Sequence, residues 1–133
     1  MIIGVGIDII DVTRVKKVIE KYGSRFIERI FTGKENAYCD SKAKPYIFYA
    51  ARFAAKEAFL KALGSGLSGG IKWKDIEIDR DNSGKPYANY SGRAKQTADN
   101  LGVEKAHLSM AHTSEYAVAI VELEGTEKAV GCS

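Results

Sequence analysis

Cysteine, proline and histidine are scarce in this chain, with two of each in 133 residues. Cys39 and Cys132 have no paired spacing, so neither a disulfide framework nor a zinc site is indicated, and both suit a reducing cytoplasm. Cys39 reads as a small core side chain and Cys132 as part of a tail. The paucity of proline excludes collagen-like and proline-rich chains. The longest apolar runs, such as residues 116–121, fall far short of the ~20 residues a membrane span needs, so no membrane partner is expected. The opening Met1-Ile2-Ile3-Gly4-Val5-Gly6 lacks the basic start of a signal peptide and soon meets an acid at Asp8. No five bases adjoin and no standard nucleic-acid motif is visible, so nucleic acid is not an expected partner.

What is present describes a globular chain. Hydrophobic residues make up 45% and charged residues 28%, a balance that excludes disorder. A chain of this length buries roughly two thirds of its unfolded surface and needs no covalent staples. Net charge is only +3, but residues 12–61 hold twelve bases against five acids, an excess of +7. A basic half suits an acidic partner or a phosphate-bearing ligand.

Hydrophobic period and turn chemistry divide the chain into elements. Residues 2–10 are β-branched and nearly continuously apolar, the pattern of a buried strand. Gly4 and Gly6 within it predict close backbone approach or a bulge. Asp11 or Thr13 caps a helix in which Val12, Val15, Val18, Ile19 and Tyr22 recur at helical spacing and which Gly23 ends. A short basic amphipathic piece follows over residues 24–30. Thr32 and Glu35 are spaced as a capping box for a helix near 33–41. The longest helix is predicted over residues 45–63, with Pro45 in its first turn and Gly64 as its stop. The later part alternates: strands are predicted over 73–79, 87–90, 106–112 and 116–123, with a helix over 91–101. Clustered helices and late antiparallel hairpins give an α+β class. Residues 1–124 read as one domain and 125–133 as a frayed tail.

Four groups of residues are candidates for chemistry. Asp8 lies in a β-branched run, where a carboxylate is costly unless paired, metal-bound or at a strand end capping the next helix. Phe53, Glu57 and Lys61 are spaced by four along the long helix, so Glu57 and Lys61 read either as a surface ion pair or as part of a packed face. Gly64-Ser65-Gly66 lets backbone amides approach phosphate, but it follows a helix C-terminus, so Lys61 must supply the positive charge. His112 and Thr113 end a strand, where a histidine reads as a base, a phosphate ligand or a solvated turn residue.

In order, these pieces resemble a known family. Gly-Val-Gly-Ile-Asp at the N-terminus, Arg-Phe-Ala-Ala-Lys-Glu-Ala-Phe-Leu-Lys-Ala at 52–62, Gly-Ser-Gly after it, Gly-Lys-Pro at 84–86 and Ser-Met-Ala-His-Thr at 109–113 are similar to the short bacterial branch of the 4′-phosphopantetheinyl transferases, the holo-acyl-carrier-protein synthases. The resemblance implies an antiparallel sheet on one long helix. It also implies transfer of phosphopantetheine from coenzyme A to a serine of apo acyl carrier protein, with release of 3′,5′-ADP and a need for Mg²⁺. Asp8 and Glu57 are then the magnesium carboxylates and Lys61 the phosphate contact. Gly64, Ser65 and Gly66 approach the nucleotide, while Pro86, His112 and Thr113 line the site from a neighbouring subunit of a homotrimer. Arg14, Lys21, Arg25, Phe26 and Arg29 meet the acidic carrier protein. The serine proton leaves through Glu57 or a water held by the ion. Basic helices facing an acidic partner speed encounter more than they deepen affinity.

Overall fold

A computed structural model describes residues 1–126. Strand β1 (Ile2–Asp11) leads into helices α1 (Val12–Tyr22), α2 (Ser24–Ile30), α3 (Gly33–Asp40) and the long α4 (Pro45–Leu63). A hairpin of β2 (Ile76–Arg80) and β3 (Pro86–Tyr90), helix α5 (Gly92–Leu101), and strands β4 (Val103–His112) and β5 (Tyr116–Gly125) complete the described chain. The three long strands form an antiparallel sheet in the order β1-β5-β4, and β2 and β3 form a separate two-stranded sheet. Among the described residues no helix is long and apolar enough to cross a membrane.

Local chemistry accounts for the helix ends. The Asp11 carboxylate accepts from Thr13 N at 2.8 Å and starts α1. Thr32 and Glu35 form a reciprocal capping box on α3. Pro45 opens α4, and Gly64, in the left-handed region at φ 77°, closes it. Helix α4 packs against the sheet and joins two apolar clusters. One lies around Phe59, Ile76 and Leu123, the other around Phe31, Tyr49 and Ala117.

The approach of β1 to α4 is closer than any side chain permits. A Cβ on Gly4 would overlap the carbonyl of Ala62, and one on Gly6 the carbonyl of Ala58. A register shift between Ile2 and Gly4 accompanies this, so close approach and irregularity occur together. Strand period places Asp8 on the same face, toward α4.

Charged residues also enter the core. Lys56, fully buried, pairs with Glu35 at 2.8 Å and donates to the carbonyls of Trp73 and Ile76. Glu35 accepts in addition from Ile78 N at 2.8 Å. This network ties α3, α4 and β2 together, with each buried charge paired and hydrogen-bonded.

Several expectations are corrected. Strand β1 is not buried: it is an edge strand whose outward residues Val5, Ile7 and Ile9 are exposed, Ile9 by 66%. Residues 73–75 form a 3₁₀ turn rather than strand, because the Asp75 carboxylate accepts from Lys72 N. Asp8 lies inside the strand and does not cap α1; Asp11 does. The expected fraying from residue 125 is not found at its start, since Gly125 N donates to the Met1 carbonyl and Thr126 N to the Gly102 carbonyl. The rest of that tail, with Cys132, lies outside the described residues.

Candidate active site

Asp8 reaches α4 because the two glycines before it let the backbones touch. Its carboxylate accepts from Lys61 Nζ at 3.1 Å, and the same ammonium donates to the Ile7 carbonyl at 3.0 Å. The Asp8 side chain is 18% exposed and that of Lys61 54%. Lys61 thus pairs with Asp8, fifty-three residues away, rather than with Glu57 on its own helix.

Glu57 stands one turn before Lys61. Burial first, and the negative charge of Asp8 second, push its carboxyl above the ordinary glutamate range; Lys61 acts in the opposite sense. Asp8, Glu57 and Lys61 line one cavity of about 360 Å³, together with Arg14 and Phe26. Glu57 and Lys61 also line a second cavity of about 480 Å³ with Gly64, Gly66 and Trp73. The two residues form a wall between both spaces. Ser65 sits in the same loop, its carbonyl accepting from the Ser68 hydroxyl at 2.6 Å.

The basic face adjoins the first cavity. Arg25, Phe26 and Arg29 line a third hollow of about 420 Å³ with Val18 and Tyr22. Phe26 belongs to both hollows and packs edge-on against Phe31 and Phe53. Lys21 projects over the Tyr22 ring at 5.2 Å.

Three predicted residues lie elsewhere in the chain. Pro86 borders a cavity of about 630 Å³ between the hairpin and the outer face of β4. His112 pairs in register with Ala117, which pairs with Ile10, so two strand spacings, about 10 Å, separate its strand from β1. Thr113 closes the β4–β5 turn: its hydroxyl oxygen accepts from Glu115 N and Tyr116 N. Within one chain these three residues do not join Asp8 and Glu57.

Beside His112 is a cationic group that the sequence reading did not single out. The His112 ring packs on Phe48 at 5.2 Å, and Phe48 on Tyr38 at 6.0 Å. Over the Tyr38 ring lie the Arg52 guanidinium at 3.9 Å and the Lys42 ammonium at 4.6 Å. Arg52 is 1% exposed, yet its Nε and Nη1 have no partner in the described residues. Buried donors without acceptors are rare, and here the guanidinium is held by stacking on the Tyr38 ring. The available signal was spacing: Phe48, Arg52 and Lys56 follow each other by four along α4.

Comparison with known proteins adds the following. A family model described as the 4′-phosphopantetheinyl transferase superfamily matches residues 4–121. A holo-[acyl-carrier-protein] synthase of Koribacter versatilis is 50% identical over 124 residues, covering 93% of this chain and 99% of its own. The crystal structure of the synthase from Neisseria meningitidis superposes with a TM-score of 0.86 at 35% identity, covering 93% of this chain and 99% of that one. The Bacillus anthracis str. Ames synthase in complex with CoA (3′,5′-ADP) gives 0.78 at 38% identity, over 95% and 99% of the two chains.

Proposed function

The chain belongs to the 4′-phosphopantetheinyl transferase superfamily, and from that premise we propose that it moves 4′-phosphopantetheine from coenzyme A to a serine hydroxyl of apo acyl carrier protein. The relatives named above support the transfer. The observation that carries the reading in this chain is the wall of Asp8, Glu57 and Lys61, which faces a basic, apolar hollow on one side and a glycine loop on the other.

The residues suit Mg²⁺. Two carboxylates from distant elements share one cavity, and burial beside Asp8 makes Glu57 costly to ionise, a cost a hard divalent ion offsets. Asp8 and Glu57 would hold the ion, which when bound neutralises charge on the diphosphate oxygens. In the reaction the serine oxygen forms a bond to the phosphorus of the pantetheine arm, and the bond from that phosphorus to the bridging oxygen breaks, releasing 3′,5′-ADP. Lys61 meets the charge that develops on the departing phosphate. The proton the serine loses leaves through Glu57 or through a water held by the ion. Gly64, Ser65 and Gly66 bring backbone to the nucleotide without side-chain obstruction. Arg14, Lys21, Arg25 and Arg29 attract the acidic carrier, and Phe26 supplies an apolar centre between the two hollows.

The proposed assembly is a homotrimer in the cytoplasm, with Pro86, His112 and Thr113 of one copy completing the site of the next. The exposed Val5, Ile7, Ile9, Tyr116 and Ile120 support self-association, since they give the outer sheet face an apolar patch. The position of His112 two strands from β1 fits a site shared between copies. In mixed assemblies an Asp8→Asn subunit and a His112→Ala subunit then restore activity to each other; absence of any rescue refutes the shared site.

The deciding experiment mixes the protein with coenzyme A, Mg²⁺ and apo carrier protein and weighs the carrier by mass spectrometry. The carrier gains one phosphopantetheine with the wild-type protein and none with Glu57→Gln, which still binds the carrier. An unmodified carrier with the wild-type protein sinks the proposal.

A further inference from the structure

The candidate site holds a cation of its own before any ligand arrives. Lys61 Nζ donates to Asp8 Oδ1 at 3.1 Å and to the Ile7 carbonyl at 3.0 Å, both on β1. No hydrogen bond or ion pair joins Lys61 to Glu57 among the described residues. Asp8 and Glu57 bring two negative charges to the wall and Lys61 one positive, so the wall presents a net charge of about −1 rather than −2 to an approaching ion. A divalent cation directed to Asp8 therefore meets an ammonium already hydrogen-bonded there. A diphosphate gives that ammonium another partner. The lysine stem is flexible and half-exposed, and Lys61 lines the second cavity beside Gly64 and Gly66 as well as the first.

We propose that Lys61 occupies the cation's position on Asp8 in the ligand-free protein, so that divalent cation and coenzyme A bind cooperatively and each binds weakly alone. The inference rests on the transfer reading above, since it takes Asp8 and Glu57 as the carboxylates for the ion. It adds a coupling between the two ligands that the carboxylates by themselves do not imply. Without the lysine, the wall would hold a divalent ion whether or not the diphosphate is present. With the lysine, whatever factor coenzyme A contributes to cation affinity, the cation returns to coenzyme A by linkage.

Mn²⁺ binding to the full chain, followed by electron paramagnetic resonance without carrier protein and therefore without turnover, tests this. Mn²⁺ serves as an oxygen-seeking stand-in for Mg²⁺. In the wild-type protein Mn²⁺ binds weakly alone and roughly 5- to 150-fold more tightly with coenzyme A, the range typical of coupled sites. Lys61→Met binds Mn²⁺ more tightly than wild type when coenzyme A is absent, and coenzyme A then adds little. Lys61→Arg keeps the charge and the wild-type coupling. Lys61→Gln removes the charge while keeping a donor and gives the same answer should the methionine variant not fold. Equal Mn²⁺ affinity in wild type and the neutral variants without coenzyme A overturns the role given to Lys61, while the metal site stands. Binding that is absent throughout, or that survives Asp8→Asn, overturns the metal site and this inference with it.

Discussion

Replacing Gly6 by alanine tests the link between fold and site. The added methyl would overlap the Ala58 carbonyl and press on Ala62 N, both backbone atoms of α4, so no side chain can move aside to admit it. Strand and helix must separate. Overpacking of this kind costs about 1–3 kcal/mol, and relief by backbone movement puts Gly6→Ala at the upper end. With an unfolding entropy near 2 cal/mol/K per residue, each kcal/mol lowers the melting temperature of a chain this size by about 3–4 °C, so a fall of roughly 7–11 °C is expected. The same separation withdraws Asp8 from Lys61 and Glu57, and misplacement by about 1 Å costs on the order of 100-fold in rate. Transfer therefore falls well beyond what lost stability explains, measured where the variant is still folded. Gly33→Ala is the control: its Cβ meets nothing within 4 Å, and in the first turn of α3 alanine is neutral or mildly stabilising. Thermal unfolding and the carrier mass-shift assay on both variants decide. If Gly6→Ala melts and turns over like wild type, the argument that close backbone contact builds the site is wrong.

Three further outcomes follow from particular contacts. Lys56→Met leaves Glu35 buried without its cation and lowers stability by about 3–5 kcal/mol, whereas Lys61→Met, on the exposed side of the same helix, changes it by at most about 1 kcal/mol; urea midpoints that match would refute the distinction. Glu57 holds its proton more tightly folded than unfolded, so its ionisation costs stability as pH rises past about 4.5; Glu57→Gln therefore melts above wild type near neutral pH, and the gain vanishes in more acidic buffer. Thermal melts over that range that track each other throughout would contradict this. Arg25→Glu with Arg29→Glu slows carrier association by about tenfold or more at low salt and has little effect at high salt, as stopped-flow rates will show; an effect independent of salt would remove these arginines from the docking face.

Three departures from the sequence pattern have two physical causes, a missing covering layer or a distant partner in β1 and α4, and a local side-chain hydrogen bond at residues 73–75. The isoleucines of β1 look buried because pattern reports how apolar a strand is, not whether a second layer covers each face. The inner face is occupied by α4 and the outer one is open. Residues 73–75 continue the alternation of β2, but the Asp75 side chain competes for the backbone and closes a turn. Arg52 and Lys56 carry the same signal as any charged helix residue, and only the positions of Tyr38 and Glu35 show that both are buried.

Helix ends and close backbone contact, by contrast, are legible in the sequence. A proline and a glycine mark the ends of α4, Thr32 and Glu35 form their capping box, and Gly4 and Gly6 signal backbone contact, because each acts through neighbours within a turn or through a missing side chain. The order of motifs along the chain pointed to its family. The tertiary structure decided which side chains meet: that Lys61 bonds to Asp8 and not to Glu57, that Glu57 walls two cavities, and that the strand of His112 lies two strand spacings from β1, which carries Asp8. Those facts depend on how a strand and a helix about fifty residues apart pack together, and no local interaction along the chain encodes that distance.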